Sequence, residues 1–137
     1  MGASNRSIGW TMSASASKRP PLRAELLSRL QDAIPAGTTI KTLAQAKPNL
    51  VESWSVDGAW VITERTKELG RSAELVPGWM IETAWRYLAD NKSMTQRYLL
   101  NELNVKRSAA VCALLAMLDD VEIVSTMPIT LRICSAP

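Results

Sequence analysis

Met94-Thr95-Gln96-Arg97-Tyr98-Leu99-Leu100-Asn101-Glu102-Leu103-Asn104-Val105-Lys106-Arg107-Ser108 is the stretch on which the reading of the fold turns. Ser93 or Thr95 can cap a helix start, and Gln96 stands three residues after Ser93 as in a capping box. Tyr98, Leu99, Leu100 and Leu103 follow, which predicts a helix of about two turns. Asn104 sits where the chain must turn sharply, and Asn enters the left-handed region more easily than other non-glycine residues. Val105 then points back to a core, and Lys106-Arg107-Ser108 opens a further helix expected to run to about Leu118.

Upstream, Pro77 suits the first turn of a helix, and Ile81, Ala84, Trp85 and Leu88 form an apolar stripe ending near Asp90. Downstream, Val121 to Val124, a turn at Ser125 to Pro128, and the alternation of Ile129, Leu131 and Ile133 with Thr130 and Arg132 predict a hairpin. Helix, short helix, Asn-Val turn, helix and hairpin, over residues 76–133, is an order that resembles the winged helix-turn-helix DNA-binding domain. That resemblance implies that Thr95 caps the second helix and that the third is the recognition helix, whose N-terminal residues enter the major groove. The implied DNA contacts are Lys106, Arg107 and Ser108, with Lys92, Thr95, Gln96 and Arg97 before them and Arg132 on the hairpin. Residues 92–107 hold Lys92, Arg97, Lys106 and Arg107 against Glu102, a local excess of +3. Asp119, Asp120 and Glu122 lie beyond the other end of the third helix and should face away from phosphate. Two features depart from the pattern: Asn104 replaces the common Gly, and Ala109, Cys112 and Ala116 offer bases only apolar contacts.

The first half reads differently. Residues 1–21 are rich in Ser, Ala and Gly, contain Pro20 and Pro21, and read as a disordered tail. They lack the apolar core of a secretory signal, so a cytoplasmic protein is expected, and Met12 is a plausible alternative start. Leu22, Leu26, Leu27, Leu30 and Ile34 predict an amphipathic helix ended by Pro35-Ala36-Gly37. Thr38–Leu43, Leu50–Val56 and Ala59–Thr66 are β-prone. Asp57-Gly58 predicts a type I′ hairpin, which would put Leu50, Trp54, Val56, Ala59 and Val61 on one buried face. Lys67 to Leu75 reads as a polar connection, and Arg65, Lys67 and Arg71, interleaved with Glu64, Glu68 and Glu74, as a solvated charge run. The expected fold is therefore α+β, an N-terminal helix plus small three-stranded antiparallel sheet followed by a winged helix-turn-helix. Its divisions are 1–21, 22–75 and 76–137.

Composition narrows the chemistry. A chain of 137 residues that is 47% hydrophobic and 21% charged can bury a core unaided. The longest apolar run, Ala109 to Leu118, falls well short of the ~20 residues needed to span a bilayer. With no histidine and only Cys112 and Cys134, structural zinc, Ser-His-Asp catalysis and Cys-His catalysis are excluded. Gly70 and Gly78 are isolated, so no phosphate-cradling loop is present. Asp57, Glu64 and Lys67 superficially resemble a metal-nuclease triad. The spacing from Glu64 to Lys67 would put those two on opposite faces of a strand, and Asp57 is explained by its turn. Trp54, Trp60, Trp79 and Trp85 could stack bases but read better as core residues in a chain without Phe. Of the net charge of +3, Arg6, Lys18, Arg19 and Arg23 supply +4, so the rest of the chain carries −1 and any nucleic-acid function rests on a local patch.

The layout, with Val61 to Thr66 leading into Val76 to Leu88, also resembles the DNA-reading modules of bacterial restriction and defence enzymes, whose catalytic domain lies elsewhere. Together these readings imply a non-enzymatic, cofactor-free double-stranded DNA-binding protein, sequence-specific or structure-tolerant, serving transcription regulation or defence. The alternative is a protein-interaction adaptor using the apolar surface of the third helix and Cys112. A separate protein partner fits either reading, a homodimer is left open, and no membrane partner is expected.

Overall fold

The computed structural model describes residues 19–134, so most of the tail expected at 1–21 lies outside the described residues. Its last residues do not behave as a tail: Pro20 is buried, and the Arg19 guanidinium lies 4.9 Å from the centre of the Trp79 ring. Helix α1 (Ala24–Ala33) forms as its spacing requires, with Leu22, Leu26, Leu30 and Ile34 buried. Its first turn is held by Glu82, a fully buried carboxylate. Glu82 accepts from the Arg23 backbone N–H at 3.0 Å and from the Nε atoms of Arg23 and Arg86, each at 2.7 Å. Two guanidinium groups thus compensate a charge that burial alone would disfavour.

Four strands, rather than the three expected, follow: β1 (Thr38–Lys41), β2 (Pro48–Ser55), β3 (Gly58–Thr63) and β4 (Glu74–Pro77), antiparallel in the order β1-β2-β3-β4. Strand β4 was expected to be part of a polar connection and the start of a helix. Four residues ending in proline carry no readable period, and Pro77 is tolerated because β4 is an edge strand. The β2–β3 register also differs from expectation. Ser55 faces Gly58 and Trp54 faces Ala59, so Val56-Asp57 is the turn and Val56 is 69% exposed. Neither turn residue has the positive φ that a type I′ turn needs. Gly58, just after the turn, has φ 135°, and β4 passes so close to it that a Cβ there would stand 2.0 Å from the Val76 carbonyl oxygen.

The chain expected to continue the third strand to Thr66 turns instead into α2 (Glu64–Glu68). A capping box starts it: the Thr63 hydroxyl accepts from the Thr66 N–H, and the Thr66 hydroxyl accepts from the Thr63 N–H. Glu64 and Lys67 therefore sit on a helix, not on opposite faces of a strand. Asp57 lies at the far end of β3 from them, roughly 20 Å away for six extended residues, so no nuclease triad is assembled.

Helix α3 (Gly78–Asn91) buries Met80, Ile81, Ala84 and Leu88, while Trp85 is half-buried beneath Arg29, 5.1 Å from its ring centre. The remaining elements are β5 (Ser93–Thr95), α4 (Gln96–Asn101), α5 (Ser108–Leu115), β6 (Val121–Thr126) and β7 (Ile129–Ile133), with a three-stranded antiparallel sheet in the order β5-β7-β6. Thr95 caps α4, its hydroxyl accepting from the Tyr98 N–H at 3.1 Å, whereas Ser93 belongs to β5. Tyr98 stacks on Tyr87 of α3. Asn104 has φ 56° and Val105 is fully buried, as the sequence requires. Helix α5 ends at Leu115, short of Leu118. One cluster of buried side chains runs from Leu22 to Leu131, so both halves of this α+β fold share a core, and the boundary between residues 75 and 76 falls inside β4. No helix among the described residues is long and apolar enough to cross a membrane.

Candidate nucleic-acid interface

Helix α5 is apolar on every side, and such a helix is buried. Ser108 and all of residues 111–115 are buried, and only Ala109 and Ala110 at its N-terminal end are half-exposed. The helix expected to lie in a DNA groove is thus the centre of the molecule. Its start alone reaches the surface, together with the two residues before it.

The eight expected contacts fall into three places. Gln96, Lys106, Arg107 and Ser108 line one cleft. Ser108 is 2% exposed, and its hydroxyl accepts from the Gln96 amide at 3.0 Å, so these two bind each other rather than present themselves to a ligand. Arg107 is half-buried and donates to Glu74 of β4 at 3.1 Å, joining α5 to the N-terminal sheet. Lys106 is exposed. Thr95 and Arg97 border a second hollow with Met127 and Pro128 at the tip of the β6–β7 hairpin. Lys92 and Arg132 lie at the opposite end of β5, where Ser93 pairs with Arg132. Arg132 is bound to Glu122 there, and the guanidinium holds that carboxyl below its ordinary pKa. Lys92 is the left-handed C-cap of α3, and its carbonyl accepts from Ile133.

The cleft has a second wall that the sequence did not announce. Its volume is about 700 Å³, and across from Lys106 and Arg107 it is lined by Lys47 and Asn49 of the first hairpin and by Glu64, Arg65 and Glu68 of α2. Lys47 is positioned by a tight turn in which its N–H donates to the Thr42 hydroxyl and its carbonyl accepts from the Thr42 N–H, both at 3.0 Å. Arg65 is positioned by the Thr63–Thr66 capping box. Among the described residues, Lys47, Arg65 and Lys106 form no ion pair, whereas Arg107 does. The cleft therefore carries four cations against two carboxylates, drawn from both halves of the chain. No family model, curated protein or solved structure matches this chain.

The surface expected to serve an adaptor is not available. Cys112 is fully buried, and burial pushes its thiol up to about 12. The exposed apolar groups lie elsewhere and are scattered, among them Val56, Leu69, Val124 and Met127, with Met127 and Leu100 sharing a hollow beside Pro128. Among the described residues no three His, Cys, Asp or Glu side chains come together as a metal site.

Proposed function

We propose that this chain is a non-catalytic double-stranded DNA-binding protein, with its C-terminal half a winged helix-turn-helix carried on a four-stranded sheet. The element order α3-β5-α4-α5-β6-β7 and the sheet order β5-β7-β6 support the winged-helix reading. The observation that carries the DNA reading is the convergence of Lys47, Arg65, Lys106 and Arg107 on one cleft, at the only end of α5 that reaches the surface. Because α5 itself is buried, the DNA is held by cations on its phosphates and not by a helix laid in the major groove. Transcription regulation or the specificity function of a defence system fits such a module.

The test is a salt titration of binding to a random-sequence duplex. Neutralising three or four phosphates gives a log–log slope of about −2.7 to −3.6. Absence of binding at low salt, or a slope near zero, overturns the reading. The second reading, a protein-interaction adaptor, is favoured by one observation: Met127 is 84% exposed at the hairpin tip beside Pro128 and Leu100. In that case substitution of Met127 by Asp abolishes partner capture, and DNA binding shows no salt dependence because there is none.

A further inference from the structure

Asn49 occupies a position that an apolar residue normally fills. In β2 it shares a face with Val51, which is fully buried, and Asn49 itself is only 6% exposed. An amide carries an acceptor and two donors that a sheet interior leaves unmet unless something pairs with them. Its register partners are Ile40 on β1 and Thr63 on β3, and the Thr63 hydroxyl is taken by Thr66. Among the described residues no hydrogen bond reaches the Asn49 side chain, whose remaining exposure opens on the cleft.

Around it the cleft is lined mostly by polar and charged side chains with one smaller apolar group, a make-up suited to an anionic ligand with an apolar part, and its volume of about 700 Å³ lies within the range of small-ligand sites. Pro48, Leu100, Ala109 and Ala110 supply the apolar lining, and Lys47, Arg65, Lys106 and Arg107 the positive charge, opposed by Glu64 and Glu68. A duplex is too wide to enter such a space and meets only its exposed cations, Lys47, Arg65 and Lys106. A single nucleotide is not.

We propose that the cleft takes one unpaired nucleotide of the bound DNA, its phosphate on the cations and its base against the apolar lining with an edge on the Asn49 amide. A side-chain amide presents a donor and an acceptor side by side, which matches the N6 and N7 atoms of adenine. Among the bases adenine is the usual partner of an Asn amide, and it is the base assigned to the cleft. This rests on the DNA reading above and adds to it a preference for DNA in which a base has left the stack.

The experiment compares three duplexes with identical flanks, one fully paired, one with a single bulged adenine and one with a single bulged thymine, alongside free deoxyadenosine monophosphate. The adenine bulge should bind at least tenfold more tightly than the paired duplex and at least threefold more tightly than the thymine bulge. Asn49→Leu, which keeps the branched shape and removes the amide, should reduce the ratio of bulged to paired affinity to below threefold. Arg65→Ala, at an exposed position where folding is not at stake, should reduce the same ratio. Equal affinity for bulged and paired duplexes, with a steep salt slope retained, overturns the cleft proposal and leaves the DNA reading standing. A bulge preference that survives both substitutions also overturns it. Saturable binding of the free nucleotide without any bulge preference assigns the cleft to a free nucleotide and overturns its DNA source. Failure to bind any of the duplexes overturns both readings.

Discussion

The Gln96 amide donates to the Ser108 hydroxyl at 3.0 Å and so fixes the first turn of α4 against the first turn of α5. Both residues are of the type that reads DNA, and both stand where a helix-turn-helix would use them. Their bond is a structural one: Ser108 borders the cleft but is only 2% exposed, and its hydroxyl is taken by Gln96. Ser108→Ala should therefore destabilise the protein by about 1 kcal/mol, lowering the melting temperature by about 3 to 5 °C. DNA affinity of the folded variant should stay within twofold of the parent. A tenfold loss of affinity at unchanged melting temperature would return Ser108 to the set of DNA contacts.

Gly58 marks where the first sheet is least forgiving. A Cβ there would meet the Val76 carbonyl oxygen at 2.0 Å and the Gly78 nitrogen at 2.7 Å, both backbone atoms that no rotamer change can move. Gly70, also at positive φ, has nothing within 4 Å of the same atom. Gly70→Ala should cost only the conformational strain, about 1 kcal/mol. Gly58→Ala adds a steric clash and should cost at least 3 kcal/mol or prevent folding. Urea denaturation of the two variants side by side tests this, and equal midpoints would mean that β3 and β4 are not in this contact.

What the sequence discloses and what it hides differ by physical cause. The stripe Leu22, Leu26, Leu30 and Ile34 is legible because burial of one helix face leaves a period in the chain. Asn104 and Val105 are legible because few residues accept a left-handed turn. Strands β4 and β5 are too short to have a period, and their conformation comes from partners remote in sequence, Val76 on Ala59 and Met94 on Leu131. The hairpin misleads because Asp-Gly suits two registers, and the choice is made by β4 passing over Gly58. At the cleft a second irregularity matters: the strand breaks register between Val51 and Ser53, and this bulge, which leaves no mark in the sequence, puts Val51 and Asn49 rather than Leu50 on the inner face. Trp85 is placed in the right helix but at the margin of its buried face, since an indole of that size fits better at the edge, under Arg29. At the candidate site, Lys106 and Arg107 are visible in the sequence as an opening to α5, whereas Lys47 and Arg65 reach the same cleft only through tertiary folding.

The two cysteines should differ sharply in reactivity. Burial raises the Cys112 thiol from its ordinary value to about 12, so at pH 8 roughly one in ten thousand is ionised, and a reagent has no path to it. Cys134 is exposed, its thiol raised by a hydrogen bond to Glu122. One thiol should react with a disulfide reagent in the native protein and two in denaturant. Because Cys112 has a higher pKa folded than unfolded, its contribution to stability is full below about pH 9 and is lost as the pH rises from there to about 12. Cys112→Ala should flatten the decline in stability over that window relative to the parent, and an unchanged pH profile would show that the thiol is not buried.

Glu74 makes the strongest test of the cleft because it competes for one of the cleft's cations. Its carboxylate accepts from Arg107 at 3.1 Å and lies 3.7 Å from Arg71, so two guanidinium groups are partly neutralised within the protein. Arg107 side-chain exposure is 36%, enough for the group to turn toward a phosphate once released. Glu74→Gln keeps the shape and removes the charge. It should tighten DNA binding about threefold to tenfold and steepen the salt slope by up to about 0.9, the value of one additional phosphate contact. The stability change should be small, since partly exposed ion pairs contribute about 0 to 1 kcal/mol. Adding Arg107→Ala to Glu74→Gln should erase the gain, because the released guanidinium is its source. If Glu74→Gln weakens binding, or if the gain persists without Arg107, then the Arg107 side chain does not face the phosphates and the DNA must lie on another part of the surface.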